Sequence, residues 1–318
     1  MNKKILVIGS TVVDVVISID ELPGTSDDIH IQSQKMVLGG CAYNTCDIIR
    51  KAEIPHLLCT PIGGGPYGQF VKNAFQKNNL DIFVEVPNRE NGCCYCFVDK
   101  RGERTFISYH GVEYSFNPSW LSPIDLSEFD SIYFCGLEVE EPTGELLVTW
   151  LEKAKKQFPN MIYYYAPGPR IKRINPDLHQ RIFALHPILH LNEDEALVCT
   201  NTCTLEAASK KLYELTQNSL VITWGEKGCY CLEVQNFSDN RDTPSFIQYL
   251  VEGFPSVVKD TIGAGDSHVG AFIAAQKKGF SFRESVTKAN QVSASVVSVS
   301  GATLSSEEWT KLSYLFTE

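Results

Sequence analysis

Asp260-Thr261-Ile262-Gly263-Ala264-Gly265-Asp266 opens a helical pattern in which Val269, Phe272 and Ile273 fall on one face. Small residues therefore stand where a helix begins. Unpaired amides at a helix start and the positive end of the helix dipole attract phosphate, and glycines let the backbone approach an anion closely. The carboxylate of Asp266 would repel a phosphate if that were all the site bound. It is accounted for if Asp266 takes a proton from an attacking hydroxyl. Read alone, the segment is equally an ordinary helix cap, where aspartate and glycine are common.

Upstream, short apolar runs alternate with helical lengths. Ile5 to Ile8 ends at Gly9 as a buried central strand does. Leu57 to Ile62, Ser131 to Cys135, Met161 to Tyr165, Ile188 to Leu191 and Ser219 to Thr223 repeat the pattern. This rhythm predicts an α/β fold of three layers, α/β/α, with a mostly parallel central sheet and helices on both faces. Two segments break it. Ile29 to Val37 alternates in a half-polar way, and Cys93 to Ser108 reads as two strands joined by the turn Asp99-Lys100-Arg101-Gly102. With the extended stretch Val13 to Ile19, they are expected to form a small β-sheet lid, about residues 15–37 and 91–109, within a single domain spanning 1–318. Val234 to Ser245, rich in Asn and Asp, reads as a surface loop.

At 318 residues and 43% hydrophobic, the chain can bury a large core. With 28 lysines and arginines against 38 acidic residues, its net charge of −10 disfavours binding along a nucleic-acid backbone, so an anionic ligand must be held locally. Met1 to Asp20 has two lysines and an apolar run, but Asp14 interrupts the run and no small-residue cleavage site follows. No later run has the length of a membrane span. A soluble, cytoplasmic protein is expected. Eleven cysteines, an odd number without paired metal-ligand spacing, favour reduced thiols. Cys93, Cys94 and Cys96 lie close enough for a soft-metal site, but strand alternation is expected to turn Cys94 away from the other two, which leaves them as small packing residues.

Taken whole, Asp260 to Asp266 resembles the carboxy-terminal signature of the PfkB carbohydrate kinases, the ribokinase-like family. The resemblance implies transfer of the γ-phosphate of ATP to a hydroxyl of a small sugar or sugar-like molecule. Asp266 would be the catalytic base, and the amides of Gly263, Ala264 and Gly265 the anion hole. The resemblance runs in order through nearly the whole chain. Asp14 matches the acidic residue that holds substrate hydroxyls, and Gly39-Gly40 followed by Asn44 matches the glycine pair and substrate-binding asparagine. Asn192 and Glu195 resemble the Asn-x-x-Glu element that serves Mg2+ and phosphate positioning, acting through metal-bound water. Thr223, Gly225 and Gly228 look like the nucleotide-binding turn, and Asn290 stands where the family lines the adenine pocket. ATP and Mg2+ are thus the implied cofactors. The exposed edges of the lid strands lead us to expect a homodimer through the lid.

Singly, each residue has a plainer reading: a strand-end turn for Asp14, a helix cap for Asn44, a solvated carboxylate for Glu195, a hairpin turn for Thr223 to Gly228. Jointly they fall at strand ends, where open α/β sheets bind ligands. Three places depart from the family pattern. In Gly63-Gly64-Gly65-Pro66-Tyr67-Gly68, Gly65 replaces a frequent aspartate; Ala166 replaces another at the head of Ala166-Pro167-Gly168-Pro169-Arg170; and His268 stands where relatives carry phenylalanine. Packing is favoured over substrate contact for His268. The glycines from Gly63 also satisfy a dinucleotide fingerprint, with Asp81 as the ribose acid, but Pro66 sits inside the tight turn. That dehydrogenase reading leaves Asp260 to Asp266 unexplained. A nucleoside kinase of the same fold and an inactive sugar-binding sensor are closer rivals. The sensor should have lost the base or the anion hole, yet Asp266, Gly263 and Gly265 are all present. A sugar-phosphate acceptor would need cations, for which Lys35, Arg89, Arg101 and Arg104 in or near the lid are candidates.

Overall fold

The computed structural model describes residues 3–235 and 245–317. Its strands are β1 (Lys4–Ile8), β2 (Val12–Ser18), β3 (Ser33–Gly39), β4 (His56–Cys59), β5 (Pro61–Gly64), β6 (Val84–Glu90) and β7 (Cys93–Val98). They continue as β8 (Arg104–Tyr109), β9 (Phe129–Cys135), β10 (Ile162–Ala166), β11 (Ile188–Asn192), β12 (Leu220–Thr223), β13 (Cys229–Gln235) and β14 (Ser245–Val251). The helices are α1 (Cys41–Lys51), α2 (Gly65–Lys77), α3 (Gly136–Glu140), α4 (Gly144–Gln157) and α5 (Pro176–Phe183). After them come α6 (Glu193–Thr200), α7 (Leu205–Thr216), α8 (Ala264–Lys277), α9 (Phe282–Val296) and α10 (Ser306–Thr310).

The main sheet has eight strands in the order β14-β13-β12-β11-β10-β9-β1-β4. From β4 to β12 neighbours run parallel, while β13 and β14 are antiparallel at one edge. Alternation along β1 sends Leu6 and Ile8 to one face and Ile5 and Val7 to the other, and none is more than 2% exposed. Burying each such side chain contributes about 1.5–3 kcal/mol, which explains why this strand is apolar on both faces. Leu147, Leu151, Ile182 and Leu212 from α4, α5 and α7 cover the first face. Ile48, Phe272, Ile273 and Val286 from α1, α8 and α9 cover the second. The three-layer fold read from the sequence is therefore present.

Leu57 to Ile62 is not one strand. β4 stops at Cys59, and the chain re-enters extended structure at Pro61 as β5, which leaves the main sheet and pairs in parallel with β6. This removes the dinucleotide reading. Gly63 and Gly64 are inside β5, the Gly63 amide donates to Asn91 Oδ1 at 2.5 Å, and Gly68 is packed on the Gly63 carbonyl. The glycines serve a close strand-helix contact rather than a pyrophosphate. Residues 236–244, inside the expected Val234 to Ser245 loop, lie outside the described residues, and the residues flanking them belong to β13 and β14.

The second sheet has the order β3-β2-β7-β8. β3 begins at Ser33 rather than Ile29, because β2 ends at Ser18, whose partner is Ser33. The β7–β8 hairpin turns where expected: the Gly102 amide donates to the Asp99 carbonyl at 2.9 Å, with Gly102 at φ 83°. Val13, Val15, Ile17 and Cys93 form one face and pack on Val71 and Phe75 of α2. Asp14, Cys94 and Ser108 are cross-strand neighbours on the opposite face, as are Val16, Cys96 and Phe106. The cysteine expectation is thus corrected. Positions three apart in a strand face opposite ways, so Cys94 and Cys96 share a face and Cys93 turns into the core. Among the described residues no group of three or more potential ligands could hold a metal ion, and no helix is long and apolar enough to cross a membrane.

Candidate active site

Gly263 caps α8 with φ 73°, in the left-handed region that favours glycine, and a Cβ there would run into the Ala302 carbonyl. The first amides of α8 have no intrahelical acceptor. Gly265 faces open space, so an anion can approach the backbone there. The next residue, Asp266, reaches α1. The close crossing of α1 and α8 depends on Gly270, where a Cβ would come 2.5 Å from the Thr45 carbonyl and 2.9 Å from Ile48 Cβ. At that separation Asn44 Nδ2 donates to Asp266 Oδ2 at 2.9 Å, and Thr45 Oγ1 donates to the Asp266 carbonyl at 3.2 Å.

The glycine pair brings in the third polar group. Gly40, at φ 99°, caps α1, and a Cβ would stand 2.6 Å from the Ser10 carbonyl; at Gly39 a Cβ would overlap the Asp14 carboxylate. Asp14 on β2 therefore sits directly against the turn that starts α1. Burial, and then the charge of Asp266, push the Asp14 carboxyl up to about 7. Burial also raises Asp266, opposed by the Asn44 amide. Asn44 is 3% exposed, and its Oδ1 has no partner in the protein. A buried acceptor left unpaired costs about 1–3 kcal/mol, which a hydroxyl-bearing ligand would relieve.

Two cavities meet at this helix start, with Thr223 and Gly265 in both walls. One, of about 260 Å³, is lined by Gly225, Gly228, Ala264, His268 and Asn290. The other, of about 200 Å³, is lined by Cys41, Ala166, Asn192, Glu195, Gly263 and Asp266. Asp14, Gly39, Gly40 and Asn44 line neither; Asn44 bonds Asp266, Asp14 feels its charge, and Gly39 packs on Asp14. Thr223 to Gly228 is a hairpin turn, with the Trp224 amide donating to the Gly228 carbonyl at 2.7 Å, and it is also a cavity wall.

Asn192 and Glu195 form a capping box for α6. Asn192 Oδ1 accepts from the Glu195 amide at 2.8 Å, and Glu195 Oε2 accepts from the Asn192 amide at 3.0 Å. Asn192 Nδ2 also donates to Glu195 Oε1 at 2.9 Å. Burial, then backbone hydrogen bonding in opposition, and the nearby Asp266 leave the Glu195 carboxyl raised. It remains in the cavity wall with Asp266.

His268 packs, as favoured, within a buried polar chain. The Asn290 amide is oriented by donating to the carbonyls of Val251 and Glu252 at 3.3 and 2.9 Å. Asn290 Oδ1 must then accept from His268 Nε2, 2.9 Å away, which leaves His268 Nδ1 to accept from His190 Nε2 at 2.7 Å. Burial pushes His268 down to about 4, so both rings stay neutral at ordinary pH. Asn290 lines the first cavity, and its side chain is used within the protein.

Two positioning groups leave no local signal in the sequence. Glu138 of α3, 1% exposed, accepts from the Ser10 amide and from Cys135 Sγ, both at 2.7 Å, and so fixes the turn between β1 and β2. Asp260, which leads into the Gly263 to Gly265 turn, pairs with Arg104 of β8 in the second sheet. The other lid-region cations are distributed differently: Arg101 pairs with Asp99 at the hairpin tip, Arg89 donates to Ser115 Oγ at 3.3 Å, and Lys35 is exposed.

Two cavities that share Thr223 and Gly265 as wall, one of them lined by the Asp266 carboxylate beside a helix start suited to phosphate, answer the needs of phosphoryl transfer between two small molecules. The chain belongs to the pfkB family carbohydrate kinases, whose family model matches residues 2–309. It is 31% identical over 300 residues to the uncharacterized sugar kinase YegV of Escherichia coli (strain K12), covering 93% of this chain and 89% of that protein. It is 24% identical to the ketohexokinase of Mus musculus, covering 92% of this chain and 95% of that protein. The ribokinase of Arabidopsis thaliana, solved in complex with ribose and ATP, matches the structure with a TM-score of 0.80 at 19% identity, over 98% of this chain and 99% of that one. The chain is thus an ATP-dependent carbohydrate kinase of ribokinase-like fold.

Proposed function

We propose that this kinase acts on a neutral sugar or polyol, with Asp266 as general base and Asp14 and Asn44 gripping the acceptor. The observation that carries the reading is the convergence of Asp14, Asn44 and Asp266 beside the α8 start, where Asn44 bonds Asp266 at 2.9 Å and Asp266 helps raise Asp14 to about 7. The anion loop, Gly263 to Gly265, holds the transferring phosphoryl group. Thr223, Gly225 and Gly228 wall the nucleotide side, with Asn290 and His268 setting its floor. Magnesium usually keeps several waters, so Asn192 and Glu195, bonded to each other, suit a role through those waters. The ion supplies charge neutralisation at the phosphates.

Carboxylate charge at the acceptor position, shared between the coupled Asp14 and Asp266, repels a second phosphate. Arg104 is neutralised by Asp260, and Arg170, in the loop after β10, pairs with Glu140 at 2.7 Å. These observations support a neutral acceptor over a sugar phosphate. ADP release should be measured over neutral aldoses, ketoses, polyols and nucleosides, and over sugar phosphates. Neutral acceptors should exceed their phosphates by at least about tenfold in kcat/KM, the factor of one 1.4 kcal/mol interaction. A sugar phosphate as the best acceptor would overturn the substrate class.

The lid leaves β3 and β8 as sheet edges, with Met36, Phe106, Ile107 and Tyr109 exposed. That surface supports the proposal of a homodimer joined through the lid. Light scattering at micromolar concentration tests it, and a fully active monomer refutes it. Eleven cysteines, none disulfide-bonded among the described residues, suit the cytoplasm.

A further inference from the structure

Among the described residues, the lid strands β2, β3, β7 and β8 are joined to the body by one ion pair, Arg104–Asp260. Its side chains are 19% and 8% exposed, so it is better shielded than a surface pair. Asp260 is tied on all sides. Oδ1 accepts from Arg104 and, at 2.8 Å, from the Ile262 amide; Oδ2 accepts from the Gly301 amide at 2.9 Å. Ile262 immediately precedes Gly263, and Gly263 is packed against Ala302, the neighbour of Gly301. Both oxygens of Asp260 therefore hold the two backbone segments that shape the start of α8. Arg104, for its part, lies on the lid face that carries Asp14, since Ser18, Val98 and Arg104 are cross-strand neighbours and Ser18 is four residues beyond Asp14.

We propose that Arg104 is a positioning residue that couples closure of the lid over the acceptor to the geometry of the anion loop. The proposal rests on the kinase reading above. With the lid down, the guanidinium holds Asp260 and so fixes Ile262 and Gly263 in the conformation that presents amides to the phosphoryl group. With the lid raised, Asp260 loses its counter-charge and the loop loses one of its supports. Coupling is reciprocal: whatever lid closure does to order the loop, an anion bound in the loop does to order the lid.

The test uses hydrogen exchange on the full chain, with and without Mg·ADP and beryllium fluoride as the phosphoryl mimic, for the wild type, Arg104→Met, Arg104→Lys and Asp260→Asn. In the wild type, the mimic should slow exchange in peptides covering 260–266 and also in those covering 104–109. In Arg104→Met the first effect should persist and the second should fall by about tenfold or more, a coupling typical of residues in direct contact. Calorimetric affinity for ADP should stay within about threefold, and Arg104→Lys should recover part of the lid response. Asp260→Asn removes the charge and, because its amide nitrogen cannot accept, one of the two backbone contacts; its lid response should fall as in Arg104→Met, for which it stands in if Arg104→Met folds poorly. A lid response unchanged in Arg104→Met and Asp260→Asn would overturn the proposal, as would lid exchange raised equally with and without the mimic. A wild type that binds no ADP would overturn the kinase reading itself, and the proposal with it.

Discussion

Asp14→Asn should make the protein more stable at alkaline pH and leave it unchanged in acid. Burial, and then the charge of Asp266, raise the Asp14 carboxyl from 3.8 to about 7. Between those values the folded chain holds a proton that the unfolded chain has released. Folding stability therefore falls as pH rises through this window and levels off above about 7. Each pKa unit corresponds to roughly 1.36 kcal/mol, so the ionised Asp14 costs about 4 kcal/mol at pH 8 relative to its neutral form. Asparagine keeps the shape and cannot ionise. Urea unfolding of both proteins from pH 4 to 9 should give curves that coincide near pH 4 and diverge to at most about 4 kcal/mol above pH 7, with Asp14→Asn the more stable. A stability difference that does not vary with pH would refute the reasoning, as would a mutant that is less stable at pH 8. The same variant should raise the KM of the acceptor with a smaller effect on kcat, because it loses a ground-state contact.

Asp266→Asn should lower kcat by roughly 10²- to 10⁴-fold while calorimetry still shows ATP binding; retention of more than about a tenth of wild-type turnover would require another base. His268→Phe leaves the buried His190 Nε2 without its partner, at about 1–3 kcal/mol, and Asn290 Oδ1 with Cys229 Sγ alone, so urea midpoints should fall and the KM for ATP should rise; an unchanged midpoint would show that the chain His190–His268–Asn290 carries no stability. Glu195→Gln retains the capping box, for which glutamine serves as well, so thermal stability should hold while the Mg2+ needed for half-maximal rate rises; an unaltered Mg2+ dependence would leave Glu195 with the cap alone.

The parts of the site that were legible in the sequence are those where geometry restricts residue type locally. Gly39, Gly40 and Gly263 stand where a Cβ would meet Asp14, Ser10 or Ala302, so a small residue at a fixed offset from Asn44 or Asp266 marks the contact within a few positions of chain. The buried strands were legible because β1 and β9 to β12 need apolar residues on both faces. Contacts between distant side chains leave no such trace. Arg104 and Asp260 are 156 positions apart, and Glu138 reaches Ser10 across 128. Nothing in the local pattern distinguished Arg104 from Arg101, though one is latched to the body and the other is spent at a hairpin tip. Of the antiparallel edge, only the reversal between β12 and β13 was legible, as the hairpin turn Thr223 to Gly228, while β14 carried no strand reading of its own.

The two carboxylates at the acceptor position are chemically alike, and their surroundings divide their roles. Asp266 receives the Asn44 amide, which favours its ionised form, whereas Asp14 has the charge of Asp266 beside it and no compensating cation among the causes of its shift. The pair titrates as a unit: burial raises both carboxyls, and the Asn44 amide opposes the rise at Asp266. In the proposed function, a protonated Asp14 would donate to one acceptor oxygen and accept from a neighbouring hydroxyl, and an ionised Asp266 would keep a lone pair for the proton of the attacking hydroxyl. Environments that push two like groups apart in this way assign one as anchor and one as base without a difference in residue type. On the proposed function, the same burial and proximity that make the ionised form of Asp14 costly are what would hold the acceptor against Asp266.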